Sequence, residues 1–422
     1  MPNESSLEAW LAKLEQLHPK TIDLGLERVR RVSVALGLNP GFPIITVGGT
    51  NGKGSTCAYL EAMLRAAGYK TGLYTSPHLL RYNERVRVAG EESNDADLIN
   101  SFERIEAARG PTSLTYYEFG TLGAMLQFVA AGVDVAILEV GLGGRLDAVN
   151  IFDADAAIVT SVDLDHQDYL GDTRELIGFE KAGIYRAQRP AICADPAPPA
   201  SLVAHISNLG ADGWQLGEDF QLREVNNHWT YRGRDWELPE LPLPAMTGAH
   251  QIRNASAAIA ALEALQSQLP VDAQAIAQGL RAACVAGRFQ RISEHPEIVL
   301  DVAHNPEAAR ALAATLAAHP GVGRTWAVIG MLADKDVAGV IAALGNQIYG
   351  WFVCTPDSPR GLAASALADC IRLSLPGAFI TQCVDPQAAF EMAQKQAAVD
   401  DRIVAFGSFY TVAAILKHVH PR

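Results

Sequence analysis

The chain has 422 residues, 49% apolar and 19% charged, with a formal net charge of −13. That length exceeds one ordinary core and argues for a soluble globular protein of two or three domains. The acidic balance argues against a nucleic-acid surface; no apolar run of transmembrane length and no secretory leader is read, so no membrane partner is expected. The six cysteines (Cys57, Cys193, Cys284, Cys354, Cys370, Cys383) are scattered without a C-x-x-C pair. Neither zinc nor a disulfide framework is expected, and a reducing cytoplasm is.

Residues 1–43 read as a helical lead-in, beginning with an amphipathic helix over Met1 to Lys20 and punctuated by His18-Pro19 and Asn39-Pro40-Gly41. Ile44 to Val47 is a β-branched run that predicts a buried strand. Gly48, Gly49, Thr50, Asn51, Gly52, Lys53, Gly54, Ser55 and Thr56 follow, then a helical pattern through Leu60, Met63, Leu64 and Ala67 to Gly68. Strand, glycine-rich turn and helix N-terminus make an anion cradle, because backbone N–H groups and the helix dipole both point at a phosphate. Lys53 would reach the terminal phosphates, and Ser55 or Thr56 a Mg²⁺ ion. The spacing departs from G-x-x-x-x-G-K-[ST]: Val47 stands where the first glycine belongs, and Gly54 follows the lysine. ATP is the expected nucleotide.

A second strand is expected over Thr71 to Thr75, ending in the polar segment Ser76 to Arg85. A helix over Asp95 to Arg109, a loop over Pro111 to Glu118 and a helix over Phe119 to Ala131 come next. The apolar run Asp134 to Val140 predicts a buried strand leading into Gly141-Leu-Gly-Gly-Arg-Leu-Asp147, and Ala156 to Val162 another, leading into Asp163 to Asp168. Residues 215–244 alternate polar and aromatic positions and read as an antiparallel excursion on the first domain. Helices are expected over His250 to Gln266 and up to Ala286-Gly287. Beyond lie strands near 298–302, 325–330, 350–354, 378–383 and 402–407, separated by helical patterns. The expected fold is α/β: a P-loop-containing, mostly parallel sheet domain over 1–286 and a smaller Rossmann-like domain over 287–422.

Ser76, Glu139 and His166 fall at three strand ends, where open α/β sheets bind ligands. Glu139 closes an apolar strand, so its carboxylate needs a partner; that partner is a hydrogen-bond donor or a Mg²⁺ ion. His166 can be structural or a ligand, and Lys181, expected to open or interrupt a helix, is by pattern alone an ordinary surface lysine. Asp301 and His304 end a strand of the second domain and can grip a ribose or phosphate, or serve as part of a helix cap ahead of Asn305-Pro306.

Gly49-Thr-Asn-Gly-Lys-Gly-Ser55, Thr75-Ser-Pro-His78, Glu139 to Asp147, Asp163-Leu-Asp-His166, Glu180-Lys-Ala-Gly183 and Asp301-Val-Ala-His-Asn-Pro306 together resemble folylpolyglutamate synthase/dihydrofolate synthase, of the Mur-type ATP-dependent amide ligases. The resemblance runs in order along nearly the whole chain. It implies that Lys53 and the loop amides hold ATP phosphates, that Ser76, Glu139 and His166 ligate Mg²⁺, and that Lys181 is carbamylated and joins a second Mg²⁺. It implies further that Asn254, Arg288, Asp301 and His304 complete the nucleotide and catalytic set, and that Thr115, Tyr117, Arg145, Asp147 and Ala148 hold the pterin or folate. Two positions depart from the family pattern: Val149 replaces a threonine in Asp147-Ala-Val-Asn150, and Tyr117 stands where phenylalanine is common.

The implied reaction joins L-glutamate to dihydropteroate and to reduced folates through an acyl phosphate, with the second domain closing over ATP. The alternatives are a folylpolyglutamate synthase alone, another Mur-type amino-acid ligase, a P-loop nucleotide-binding protein without ligation, or a folate-binding protein without catalysis. A monomer is expected.

Overall fold

The computed structural model describes residues 6–20, 22–225 and 227–419, which divide into two compact units. The first runs to Ala245 and resumes over Ile252–Ala283; the second takes Met246–Gln251 and then begins at Cys284.

In the first unit, α1 (Leu7–Leu17) is capped by Ser6, whose hydroxyl accepts from the Ala9 N–H, and buries Leu7, Trp10 and Leu14. That i, i+3, i+7 spacing is one helix face. Met1–Ser5, also expected to be helical, lie outside the described residues. After α2 (Glu27–Ala35), β1 (Ile44–Gly48) is buried at all five positions, as a strand covered on both faces must be. There follow α3 (Lys53–Ala66), β2 (Thr71–Tyr74), β3 (Val86–Val88), β4 (Glu91–Glu92), α4 (Asp95–Arg109), α5 (Tyr116–Ala131), β5 (Val135–Glu139), β6 (Ala156–Val159), α6 (Gln167–Leu170), α7 (Arg174–Ala182), β7 (Pro190–Cys193), α8 (Ala200–Leu209) and β8 (Asp212–Gln215). The sheet order is β4-β3-β2-β5-β1-β6-β7-β8, parallel from β2 to β8. Because β1 lies between β5 and β6, the carboxyl ends of all three strands surround the start of α3. Such a junction is where ligands bind in this architecture.

Three expectations need correction here. Helix α5 starts at Tyr116 rather than Phe119, because Thr115 and Glu118 form a capping box that recruits the preceding residues into the helix. Strand β6 stops at Val159, so His166 lies in the loop beyond it, just ahead of α6, with a left-handed φ of 49°. Lys181 neither opens nor interrupts a helix: it sits in the last turn of α7.

The antiparallel excursion is β9 (Gln221–Val225), β10 (His228–Arg232) and β11 (Glu237–Pro242). Trp229 and Tyr231 are buried, and the Tyr231 hydroxyl donates to Glu263 Oε2 at 2.6 Å on α9 (Ala249–Ala264). Helix α10 (Ala273–Ala282) ends short of Ala286 and packs on α3, where a Cβ at Gly279 would lie 2.5 Å from Met63.

The second unit holds β12 (Gln290–Glu294), β13 (Glu297–Leu300), α11 (Pro306–Ala318), β14 (Thr325–Ile329), α12 (Val337–Leu344), β15 (Gly350–Val353), α13 (Ala364–Ser374), β16 (Phe379–Gln382), α14 (Pro386–Gln396), β17 (Arg402–Phe406) and α15 (Phe409–Val419). Its order is β12-β13-β17-β14-β15-β16. The five expected strands are parallel; β12, which pairs antiparallel at the edge, was not foreseen. Its half-exposed residues lack the apolar run that marks the others. Among the described residues no helix is long and apolar enough to cross a membrane.

Candidate active site

The turn between β1 and α3 needs glycine at two places. Gly49 has φ 143° and Gly52 has φ 89°, both in the region that L side chains avoid. A Cβ at Gly49 would lie 1.9 Å from Thr160 Oγ1, and one at Gly52 would lie 2.4 Å from Asn254 Oδ1. Asn254, distant in sequence, is thus seated against the glycine-rich loop. The loop is braced by residues just past β6. The Thr160 hydroxyl donates to the Asn51 carbonyl at 2.6 Å, Asn51 N–H donates to Ser161 Oγ at 3.2 Å, and Thr50 N–H donates to the Ser161 carbonyl at 2.8 Å. Asp163 N–H donates to Thr50 Oγ1 at 3.0 Å. No reading of the sequence singled out Thr160 or Ser161; their role exists only once β6 lies beside β1. Lys53 Nζ donates to the Gly49 and Thr50 carbonyls at 3.0 and 3.1 Å. The ammonium is thereby held over the loop, and Ser55 and Thr56 are buried in the first turn of α3.

Glu139, at 5% exposure, ends β5 beside this turn. Its Oε2 accepts the Ser76 N–H at 3.0 Å, and a Cβ at Gly54 would lie 3.8 Å from its Oε1. Glu139, Ser76 and the head of α3 are therefore brought together. His166 has its Nε2 3.9 Å from Asp165 Oδ2. Among the described residues no three histidine, cysteine, aspartate or glutamate side chains are grouped to hold a metal. A cation held by Glu139 would need further donors, such as hydroxyl, phosphate or water oxygens.

The segment Gly141 to Asp147 packs on the end of α7. Arg145 N–H donates to the Glu180 carbonyl at 2.8 Å, and a Cβ at Gly144 would lie 3.0 Å from the Lys181 carbonyl. Lys181 itself is 4% exposed, so the surface-residue reading fails. Arg145 pairs with Glu180 at 2.8 Å and lies 5.8 Å from the Phe179 ring centre. Asp147 is buried; its Oδ2 accepts the Gly141 and Leu142 N–H groups at 3.0 and 2.9 Å, and its Oδ1 accepts Val149 N–H at 3.1 Å. Burial raises its pKa to about 6, partly offset by those hydrogen bonds. Ala148 and Val149 are buried beside it. Asn150 ties the segment together, its side-chain amide donating to the Arg145 and Gly183 carbonyls at 3.0 Å each.

Thr115 and Tyr117 stand at the head of α5. Tyr117 donates its hydroxyl to the Glu139 carbonyl at 3.0 Å, which links this helix to the β5 end. Thr115 Oγ1 accepts Glu118 N–H at 3.2 Å while Glu118 Oε2 accepts Thr115 N–H at 2.8 Å. The lead-in supplies an unexpected brace. Arg28 reaches Glu118 at 3.2 Å and Asp23 at 2.6 Å, and His18 bridges Asp23 Oδ2 at 3.1 Å and Ser113 Oγ at 3.0 Å. Burial pushes the Asp23 carboxyl up, but Arg28 and His18 outweigh it and hold its pKa below the usual range.

In the second unit, Asp301 accepts Phe289 N–H and Ala303 N–H at 2.8 Å each, and burial raises its pKa despite nearby Arg288. His304 Nδ1 lies 2.9 Å from the Val302 carbonyl, and its ring centre 6.1 Å from that of Phe409. Arg288 lies 6.0 Å from the same Phe409 ring, with its Nε buried and without a hydrogen-bond partner. Asn305 does cap α11, accepting Ala308 N–H at 2.9 Å.

The Mur ligase middle-domain family model matches residues 47–262, and the Mur ligase glutamate ligase domain matches 287–409. The chain is 46% identical over 419 residues to the dihydrofolate synthase/folylpolyglutamate synthase of Escherichia coli K12, covering 99% of this chain and 96% of the relative. Among solved structures it is similar to E. coli FolC in complex with DHPP and ADP, with a TM-score of 0.94, 46% identity and 98% of each chain covered. It is similar also to a bifunctional folylpolyglutamate synthase/dihydrofolate synthase with Mn, AMPPNP and L-glutamate bound, with a TM-score of 0.91, 45% identity, and 99% and 98% covered. Phosphate loop, strand-end carboxylate and full-length similarity agree: the chain belongs to the Mur ligase family, in its dihydrofolate synthase/folylpolyglutamate synthase branch.

Proposed function

We propose that this chain ligates L-glutamate to dihydropteroate and to reduced folates at the expense of ATP, in the reducing cytoplasm that its unpaired cysteines suit. The observation that carries the reading is Glu139: a buried carboxylate set between the Ser76 N–H and the head of the phosphate-loop helix. We assign ATP activation to residues 1–286 and glutamate ligation to 287–422.

In the first step an oxygen of the substrate carboxylate attacks the γ-phosphorus. The bond to the bridging oxygen breaks, and ADP leaves with its electron pair. Residues Gly49 to Thr56 and Asn254 hold the phosphates, with Lys53 shifting from its loop carbonyls to their oxygens. A divalent cation, which we take to be Mg²⁺, would be held by Ser76, Glu139 and His166 and would neutralise phosphate charge; carbamylated Lys181 would hold a second. Thr115, Tyr117, Arg145, Asp147 and Ala148 receive the pterin end. In the second step the glutamate amine attacks the acyl carbon, a proton leaves the nitrogen, and phosphate departs with the C–O electron pair. With Nδ1–H given to the Val302 carbonyl, His304 Nε2 is the basic nitrogen that takes that proton. Arg288 and Asp301 belong to the same set.

The test is phosphate release from ATP with L-glutamate, using dihydropteroate in one reaction and a reduced folate in another. Glutamate-dependent release in both is expected. Release with the folate alone would leave chain extension only, and silence in both with ATP binding intact would overturn the ligase reading. Intact-mass measurement under CO₂, with Lys181→Ala as control, reads the carbamate separately.

A further inference from the structure

The segment between β2 and β3 holds an arginine without an acidic partner. Arg85 is half-buried, and among the described residues no carboxylate lies within ion-pair distance of it. Glu84, its neighbour, is occupied: its carboxylate accepts the Leu79, Leu80 and Arg81 N–H groups at 2.7, 2.8 and 2.7 Å. The guanidinium is instead held by aromatic surfaces, its carbon 5.4 Å from the ring centres of both Tyr82 and Tyr116, which meet edge-on at 5.7 Å. Nε donates to His78 Nδ1 at 2.8 Å. Two π faces and one imidazole fix the direction of the fork but do not neutralise it, so a partly desolvated cation is left to meet an anion.

Its place says which anion. The Arg85 carbonyl accepts Thr75 N–H at 2.9 Å, and the next residue, Ser76, donates its N–H to Glu139. Tyr116 opens α5 between Thr115 and Tyr117. Arg85 therefore lies between the strand end proposed to hold the cation beside the ATP phosphates, where the substrate carboxylate would react, and the helix head proposed to receive the pterin. The two substrates of the proposed reactions differ in chemistry there. Dihydropteroate carries one carboxylate, the one that reacts. A folyl glutamate carries a second, the α-carboxylate, beside the γ-carboxylate that reacts.

On the ligase reading above, we infer that Arg85 receives the α-carboxylate of folyl glutamates and is a specificity-determining residue for chain extension over the first glutamylation. An arginine fork on a carboxylate is a two-bond, charge-assisted contact that lysine reproduces only in part.

The experiment measures KM and kcat of the full chain, and of Arg85→Gln and Arg85→Lys, with dihydropteroate and with tetrahydrofolate at saturating ATP and glutamate. Arg85→Gln should raise KM for tetrahydrofolate about 10-fold or more and KM for dihydropteroate less than about 3-fold, with Arg85→Lys between. A folate analogue bearing 4-aminobutyrate in place of glutamate lacks the α-carboxylate. It should bind the unaltered protein as weakly as the folate binds Arg85→Gln, and lose no more in the variant. Where folate is not extended, its inhibition constant against dihydropteroate is read instead. Equal losses for both substrates, or an unaltered folate KM, overturn the assignment. If both variants fail to fold, equal affinity of the unaltered protein for folate and analogue overturns it. A silent unaltered protein overturns the ligase reading rather than this one.

Discussion

The glycine-rich loop and the head of α5, which we propose hold ATP and the pterin, are two parts of the same unit made in opposite ways. The loop is contiguous: Gly49 to Thr56 supply both the turn and its donors, and outside residues only brace it. The head of α5 is assembled from His18, Asp23, Arg28, Ser113, Thr115 and Glu118, tied by side-chain hydrogen bonds and ion pairs. A site built from backbone depends on conformation, so it should fail abruptly when one residue cannot adopt its φ. A site built from paired side chains should lose function by degrees as its pairs are removed.

Gly52→Ala breaks the first kind of site. The alanine would have to hold φ 89° with its Cβ 2.4 Å from Asn254 Oδ1, so either the loop or Asn254 must move. On the order of 100-fold or more should be lost in kcat/KM for ATP. Thermal unfolding should stay close to that of the unaltered protein. Activity within a few-fold of normal would show that the turn tolerates another path.

Glu139→Gln comes next, because it keeps the shape and removes one charge. About 10- to 100-fold in kcat is expected, with the metal concentration for half-maximal rate moving upward. If rate fell while metal dependence stayed put, Glu139 would serve only as the acceptor for Ser76 N–H.

This contrast also explains what was readable from the chain alone. Strands β1 and β5, the loop and Glu139 were legible because runs of β-branched residues, a cluster of glycines between a strand and a helix, and a carboxylate closing an apolar strand each carry their physics locally. Thr160 and Ser161 were not, since hydroxyls become braces only when β6 is laid beside β1. The Arg28 bridge was invisible for the same reason: nothing near Arg28 in sequence says that Glu118 will be its partner. The start of α5 was misplaced although its capping box, Thr115 and Glu118, stands in the sequence; the tyrosines within it read as loop.

Arg28→Ala tests the gradual kind of failure. It removes two ion pairs at once, to Asp23 and to Glu118, and leaves the latter buried carboxylate with one charged partner fewer. KM for dihydropteroate should rise about 10-fold while KM for ATP moves less than about 2-fold. Equal rises for both substrates would mean that the lead-in supports the unit as a whole.

The smallest effect concerns Asp147, and its sign follows from proton binding. Burial raises its pKa from 3.8 to about 6 in the folded chain. Between those values the folded protein keeps a proton that the unfolded chain has released, so this group's contribution to stability declines as pH rises through the window. The total is at most about 3 kcal/mol, from two pKa units. Asp147→Asn removes the titration but also turns an amide donor toward the Gly141, Leu142 or Val149 N–H groups, which a carboxylate serves and an amide cannot fully replace. The variant should therefore be less stable than the unaltered protein at pH 7 yet flatter in its melting temperature between pH 4 and 6. Parallel curves for the two proteins would show that Asp147 is already ionised across that range, with its three N–H donors outweighing burial.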